Sequence, residues 1–315
     1  MKTIRMISAF LALILLLAAS GCGKQREQGS ATLTGDAELV ITPVEPEIES
    51  ETEPETSSEP EDETYINNLR ALEAMGEDFV EIADLSAESV PWGPGVNFNS
   101  EGKPIACVQL QALYGKYDAD FLRSGDEYKG KVYLTFDEGY ENGYTAAILD
   151  TLKEKGVSAV FFVTLPYAKS EPELIQRMID EGHIVGNHSA RHKNFTEIAL
   201  EEAYAEIADC HNYIQDNFGY SMYLWRFPEG AFSEQSVALL QKMGYRSLFW
   251  SFAYKDWDAA DQPDLDTAFS KITGSLHDGE IFLLHAVSAT NTDVLGSVID
   301  CVRDQGYEFV KYTLD

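Results

Sequence analysis

From Lys131 onward, seven short apolar runs alternate with six helical stretches, and this alternation limits the fold more tightly than anything else in the chain. The runs are Lys131–Phe136, Ser158–Val163, His183–Gly186, Met222–Phe227, Arg246–Trp250, Ile281–His285 and Tyr307–Lys311. Their length and their β-branched and aromatic content mark them as strands. Between them, Asn142–Lys155, Glu171–Glu181, Thr196–Asn217, Glu234–Met243, Asp264–Leu276 and Thr292–Gln305 read as helices, stopped by Gly156, Gly182, Gly219, Gly244 and Gly306. Ser170 and Ser233 stand where N-caps are expected. Strands alternating with helices imply an α/β fold whose parallel sheet is closed, or nearly closed, into a barrel. Chemistry in such a barrel is expected at the C-terminal ends of the strands.

Those ends carry polar residues in an ordered series. The first strand, in KVYLTFDEGYENGY (131–144), delivers Asp137 and Glu138 onto a turn closed by Gly139. Two like charges at the mouth of an apolar strand are unfavourable unless a cation or an arginine holds them. The third strand leads into NHSARH, whose His188 and His192 have HxxxH spacing; on a helix that places two imidazoles one turn apart, suited to a shared divalent cation. The following strands end in Arg226-Phe227-Pro228-Glu229-Gly230, Ala253-Tyr254-Lys255-Asp256-Trp257 and Leu283-Leu284-His285. Taken singly, Arg226 is explained as a surface ion pair, Asp256 as a cap and His285 as a satisfied core histidine. Their succession on consecutive strands is what points to a site.

The amino-terminal part reads differently. Lys2 and Arg5 precede a nearly pure apolar run, Ile7 to Ala19, too short for a stable membrane span, and Ser20-Gly21-Cys22 follows. Residues 1–21 are therefore expected to be a lipoprotein signal peptide, with Cys22 lipidated and the protein an exported bacterial lipoprotein anchored to the outer face of the cytoplasmic membrane. Residues 22–64 alternate Glu and Asp with Pro, Thr and Ser; such a stretch cannot bury enough apolar surface to fold and reads as a disordered linker. Residues 65–130, with a short helix expected over Asn67–Met75 and a turn-rich loop around Trp92, are expected to wrap the catalytic domain, 131–315. The formal charge of −30 argues against nucleic acid as a partner, because such binding rests on Lys and Arg neutralising phosphates. Cys107, Cys210 and Cys301 show no CxxC spacing; a disulfide among them stays open.

Over roughly Lys131 to Lys311 the chain resembles the polysaccharide deacetylases of carbohydrate esterase family four. Five motifs match in order: TFDEG, HSARH, RFPEG, KDW and LLH. FDEGYENGYT, FWSFAYKDWD and LLHAVS look like the delta-lactam-biosynthetic branch, which removes the N-acetyl group from N-acetylmuramic acid in peptidoglycan. The resemblance implies a distorted (β/α)7 barrel and an N-deacetylase acting on linear amide C–N bonds. It implies a divalent metal, zinc above others, held by His188 and His192. Asp137 would be the general base, oriented and kept ionised by Arg226. His285 would be the general acid, its pKa raised by Asp256. Trp257, Leu283 and Pro228 would contact substrate, which is a peptidoglycan glycan strand.

One departure matters. The family's aspartate ligand is Glu138 here, so either Glu138 is the third ligand, the arrangement expected, or the metal keeps two histidines and water. Two other functions remain in view: the same chemistry on N-acetylglucosamine or another polysaccharide, and a wall-glycan-binding lipoprotein without turnover. The simultaneous presence of Asp137, Arg226, Asp256 and His285 speaks against the last, since a binder needs neither acid nor base.

Overall fold

In the computed structural model of the protein, residues 79–314 are described. The expected signal peptide, Cys22, the acidic linker and the helix over 67–75 lie outside those residues.

The sheet is built around β2 (Lys131–Glu138). It pairs in parallel with β7 (Glu280–His285) from Val132 to Asp137, and with β3 (Val160–Val163) from Thr135 to Glu138. Its first two residues also pair with β8 (Glu308–Phe309). Beyond β3 the order runs through β4 (Ile184–Asn187), β5 (Leu224–Trp225) and β6 (Arg246–Leu248) to β1 (Ala119–Asp120), every pair parallel. After β6 the chain crosses back to β7: Phe252 bridges Phe282, Ser251 N–H donates to the Ile281 carbonyl at 2.9 Å, and Leu283 N–H to that of Phe252 at 2.8 Å. The sheet is thus the expected distorted, nearly closed barrel, and both faces of its strands are covered. All seven apolar runs contain strands. The short β1 comes in addition, from a segment whose sequence had no strand signal.

Helices lie between the strands. Described ones are α1 (Ile105–Tyr114), α2 (Thr145–Lys155), α3 (Leu165–Ser170), α4 (Pro172–Asp180), α5 (Leu200–Phe218), α6 (Glu234–Lys242), α7 (Leu265–Thr273) and α8 (Ala289–Asp304). The six expected helices are α2 and α4 to α8. Ser233 caps α6 as expected: its hydroxyl accepts the Ser236 N–H at 3.2 Å, and Ser236 Oγ accepts the Ser233 N–H at 2.8 Å. Ser170 is not a cap. It ends α3, its hydroxyl donates to the Tyr167 carbonyl, and α4 starts on Pro172, whose fixed φ suits the first turn without side-chain help.

The segment ahead of β2 packs onto the β6 side. Val90 bridges Phe232, and Trp92 meets the rings of Phe121 and Phe249 edge-on at 4.8 and 6.1 Å. Asp120, buried at the end of β1, accepts from Arg123 at 2.8 Å and Arg246 at 3.1 Å and bonds the Tyr312 hydroxyl, so three distant parts of the chain share one neutralised carboxylate. Cys107, Cys210 and Cys301 are all free thiols.

Gly279 shows where the barrel tolerates no side chain. Its φ is +73°, and a Cβ there would sit 2.0 Å from the Arg123 carbonyl oxygen. Gly279→Ala should lower the unfolding free energy by about 2–4 kcal/mol. Gly156, also at positive φ but facing open space, should lose only about 1 kcal/mol on the same change. Urea denaturation of the two variants measures the contrast.

Candidate active site

The C-terminal ends of the strands open into a cavity of about 1010 Å³. Asp137, His188, Arg191, His192, Leu283 and His285 line it, with Trp92, Tyr140, Trp250, Tyr254 and Trp257 supplying aromatic walls.

Strand alternation decides which side chains reach this cavity. Along a strand, successive side chains point to opposite faces. Arg226 Nη1 bonds both Thr135 Oγ1, at 2.8 Å, and Asp137 Oδ1, at 3.1 Å, so these two residues share the inner face. Glu138 is the next position and belongs to the outer one. It is 0 % exposed, does not line the cavity, and neither of its carboxylate oxygens has a hydrogen-bond partner among the described residues. Burial, with the Glu141 and Asp137 charges, pushes its carboxyl well above the usual range. The expectation that Glu138 joins the histidines as a third metal ligand is therefore corrected. The strand does not stop at Phe136 but continues through Glu138, and its pleat turns the second carboxylate away from the first.

Arg226 is completely buried and fully engaged. Nε donates to the Leu248 carbonyl at 2.9 Å and Nη2 to that of Phe249 at 3.1 Å, while the guanidinium lies over the Phe162 ring at 4.4 Å. It does not touch the cavity; it acts on Asp137, whose Oδ1 it holds.

His188 and His192 come together, though not as expected. The segment between them is a loop in which Ser189 and His192 have φ of +74° and +55°, so the spacing does not work through a helical turn. The rings nevertheless approach with centroids 4.9 Å apart, nearly perpendicular. His188 Nδ1 lies 2.9 Å from the Arg226 carbonyl oxygen, which can only accept, so Nδ1 carries the proton and Nε2 keeps its lone pair. That Nε2 lies 3.8 Å from Asp137 Oδ2. Burial lowers the His188 pKa to about 4, with the Asp137 charge opposing, so the ring is neutral at ordinary pH. A neutral imidazole oriented through its other nitrogen is the form that ligates metals. The histidine pair therefore fits a divalent ion as two ligands; among the described residues no third His, Cys, Asp or Glu completes a group with them.

His285 sits opposite Asp137. The two are register partners across β2 and β7, so their backbones are adjacent and both reach the cavity. His285 Nδ1 is 2.7 Å from Asp256 Oδ1, and Asp256 Oδ2 accepts the His285 backbone N–H at 2.8 Å. Burial alone would depress the His285 pKa, but the hydrogen bond and charge of Asp256, with a contribution from Asp137, outweigh it and leave the imidazole above its usual value. Asp256 is itself buried, and its Oδ2 also accepts from Asn291 Nδ2 at 2.6 Å.

Of the expected substrate contacts, Leu283 and Trp257 line the cavity. Trp257 is 57 % exposed, a rim platform and not the wall of a closed methyl pocket. Pro228 is buried outside the lining, which comes from its neighbours Phe227, Glu229 and Gly230. Sequence inspection missed Thr135, Asn291 and Trp92. Asn291 sits early in α8 and Trp92 lies about 45 residues before Asp137, so neither carries a local signal.

Comparison with known proteins agrees with this geometry. The family described as polysaccharide deacetylase matches residues 124–248. An uncharacterized 30.6 kDa protein from the fumA 3' region of Geobacillus stearothermophilus is 42% identical over 72% of this chain and 85% of its own length. The peptidoglycan-N-acetylmuramic acid deacetylase PdaA of Bacillus subtilis is 40% identical over 71% of this chain and 86% of its own. The solved structure of B. subtilis PdaA, a family 4 carbohydrate esterase, superposes with a TM-score of 0.67, covering 72% of this chain and 96% of that one. A family 4 carbohydrate esterase from Bacillus anthracis does so at 0.59, covering 72% and 95%. The chain belongs to the polysaccharide deacetylases, the family 4 carbohydrate esterases.

Proposed function

We propose that this protein hydrolyses the N-acetyl group of N-acetylmuramic acid residues in peptidoglycan, using a divalent metal, zinc above others, held by His188 and His192. The carrying observation is the β2–β7 register: it makes a carboxylate, Asp137, and a carboxylate-bound imidazole, His285, neighbours on adjacent strands, with His188 Nε2 3.8 Å from Asp137 Oδ2. The likeness to PdaA supports the choice of muramic acid over glucosamine. Members of the family are generally metal-dependent. The ion, when bound, would polarise the acetamide carbonyl and acidify water.

The chain's own residues supply the rest. Asp137, with Oδ1 tied to Arg226, offers Oδ2 to the cavity as general base and takes the proton of the attacking water. His285, whose hold on a proton Asp256 strengthens, gives that proton to the departing nitrogen. Asn291 holds Asp256 in place through a 2.6 Å bond, and the Tyr254 hydroxyl bonds Asn291 in turn. Leu283 and the rim ring of Trp257 offer apolar surface to the sugar and its acetyl methyl. The amino-terminal sequence extends the proposal: lipidation of Cys22 would tether the enzyme to the outer face of the cytoplasmic membrane, beside its wall substrate.

The test is acetate release from purified glycan strands, with stem peptides present and removed, using chelated enzyme before and after metal is restored. Release should need metal and run faster on stem-free strands; equal rates on stem-free strands and on a polymer of N-acetylglucosamine would defeat the muramic acid assignment. Asp137→Asn should reduce kcat by about 10²–10⁴-fold with the far-UV and near-UV dichroism unchanged.

A pH dependence follows from His285. A general acid works only while protonated, so kcat/KM should fall as pH rises through its elevated pKa. In Asp256→Asn the imidazole loses the partner that opposes burial, and the alkaline limb should move to lower pH. An NMR titration of the His285 ring should move by the same amount. The linked stability has the same sign: the pair's contribution is complete below about pH 6.5 and fades as pH climbs through the raised value.

A further inference from the structure

Glu206 is a completely buried carboxylate that none of the catalytic motifs contains. It lies on α5, fourteen residues beyond His192 in sequence, and turns toward the loop that carries that histidine. Its Oε2 accepts the Arg191 backbone N–H at 2.7 Å, its Oε1 accepts Arg191 Nε at 2.7 Å, and its backbone carbonyl accepts the Ala190 N–H at 2.9 Å. One residue thus takes three donors from two consecutive loop positions, immediately before His192.

The loop needs such an anchor. Ser189 and His192 both adopt left-handed backbone conformations, which side chains with a Cβ disfavour and which persist only when their surroundings impose them. Two other bonds help: the Ser189 N–H donates to Asn187 Oδ1 at 2.9 Å, and the His192 N–H to Ser189 Oγ at 2.8 Å. Both bonds lie within the loop and the strand end that enters it. Glu206 connects the loop to a separate and rigid element, a helix of nineteen residues. His188 has a further anchor, its 2.9 Å contact with the Arg226 carbonyl; among the described residues His192 has no comparable side-chain bond, and its backbone sets its place.

We propose that Glu206 is a positioning residue for the metal: by clamping Ala190 and Arg191 it sets the His192 imidazole beside that of His188, so metal affinity depends on it more than folding does. This rests on the assignment of both histidines as ligands. The same clamp fixes the root of the Arg191 side chain at the cavity edge.

Metal affinity is measured by calorimetry with Zn²⁺ on the chelated full-length protein, and coordination by the visible spectrum of the Co²⁺-loaded form. Glu206→Gln keeps the size but loses one carboxylate acceptor and the charge; its Kd should weaken by about tenfold or more, with an altered Co²⁺ spectrum. Asp209→Asn removes the other acid near Arg191, at 3.4 Å, but touches no loop N–H, and should keep the parental Kd and spectrum. If Glu206→Gln shows the parental Kd and spectrum, or if Asp209→Asn weakens binding equally, the proposal is overturned. Should Glu206→Gln fail to fold, Arg191→Met, which removes the Nε bond to Glu206 together with the Nη2 contact to Asp209, replaces it; a Kd weaker than that of Asp209→Asn supports the clamp and one equal to it refutes it. His188→Ala separates the two layers. If it binds metal like the parent, the ligand assignment fails and the proposal falls with it; if it abolishes binding while Glu206→Gln does not change it, only the clamp fails.

Discussion

One buried cation organises the active end of the barrel. Arg226 has no contact with solvent, yet its guanidinium bonds a hydroxyl and a carboxylate on β2 and two carbonyls at the end of β6 and just past it, while its own carbonyl lies against His188. A desolvated charge is tolerable only when its donors are met and a counter-charge is near. Asp137 is that counter-charge, so the interaction that makes Arg226 bearable also fixes the carboxylate at the cavity. A flat guanidinium suits this position because its donors diverge in one plane toward separate strands while its faces rest on Phe162 and Trp250.

The His285 side repeats this arrangement with opposite charge. There a fully buried carboxylate, Asp256, is surrounded by donors: the His285 ring, the His285 N–H and Asn291. The two halves meet because β2 and β7 are parallel neighbours with Asp137 and His285 in register. Asp137 and His285 are therefore placed by main-chain pairing, and each is held from behind by a residue that does not line the cavity. The His188–His192 loop is the less regular third part, built from left-handed residues and clamped from outside the barrel by Glu206.

Most of the architecture was legible from local pattern. Apolar runs such as Val160–Val163 and glycine stops such as Gly156 act within a few residues, so strands and helices could be placed to within a turn. Asp137, Arg226 and His285 were legible as well, each being a polar group at or just past a strand end where a polar group is unexpected, and Asp256 through the KDW motif in the loop after β6. Glu138 was misread for a physical reason. The strand runs two residues further than its apolar pattern, and a two-residue period then sends the second carboxylate to the other face. The HxxxH pair was misread because spacing alone does not distinguish a helical turn from a loop with two positive φ angles.

Sequence alone determined the strand–helix order, the parallel barrel, the family, and which titratable groups stand at strand ends, because these depend on residue type and near neighbours. Only the tertiary structure decided that Asp137 and His285 share a register, that Glu138 turns away from the histidines, and that Asn291 and Glu206 brace the site. Those outcomes depend on which strand lies beside which and on where the pleat stops, and contacts between residues far apart in the chain leave no mark on either one's local sequence.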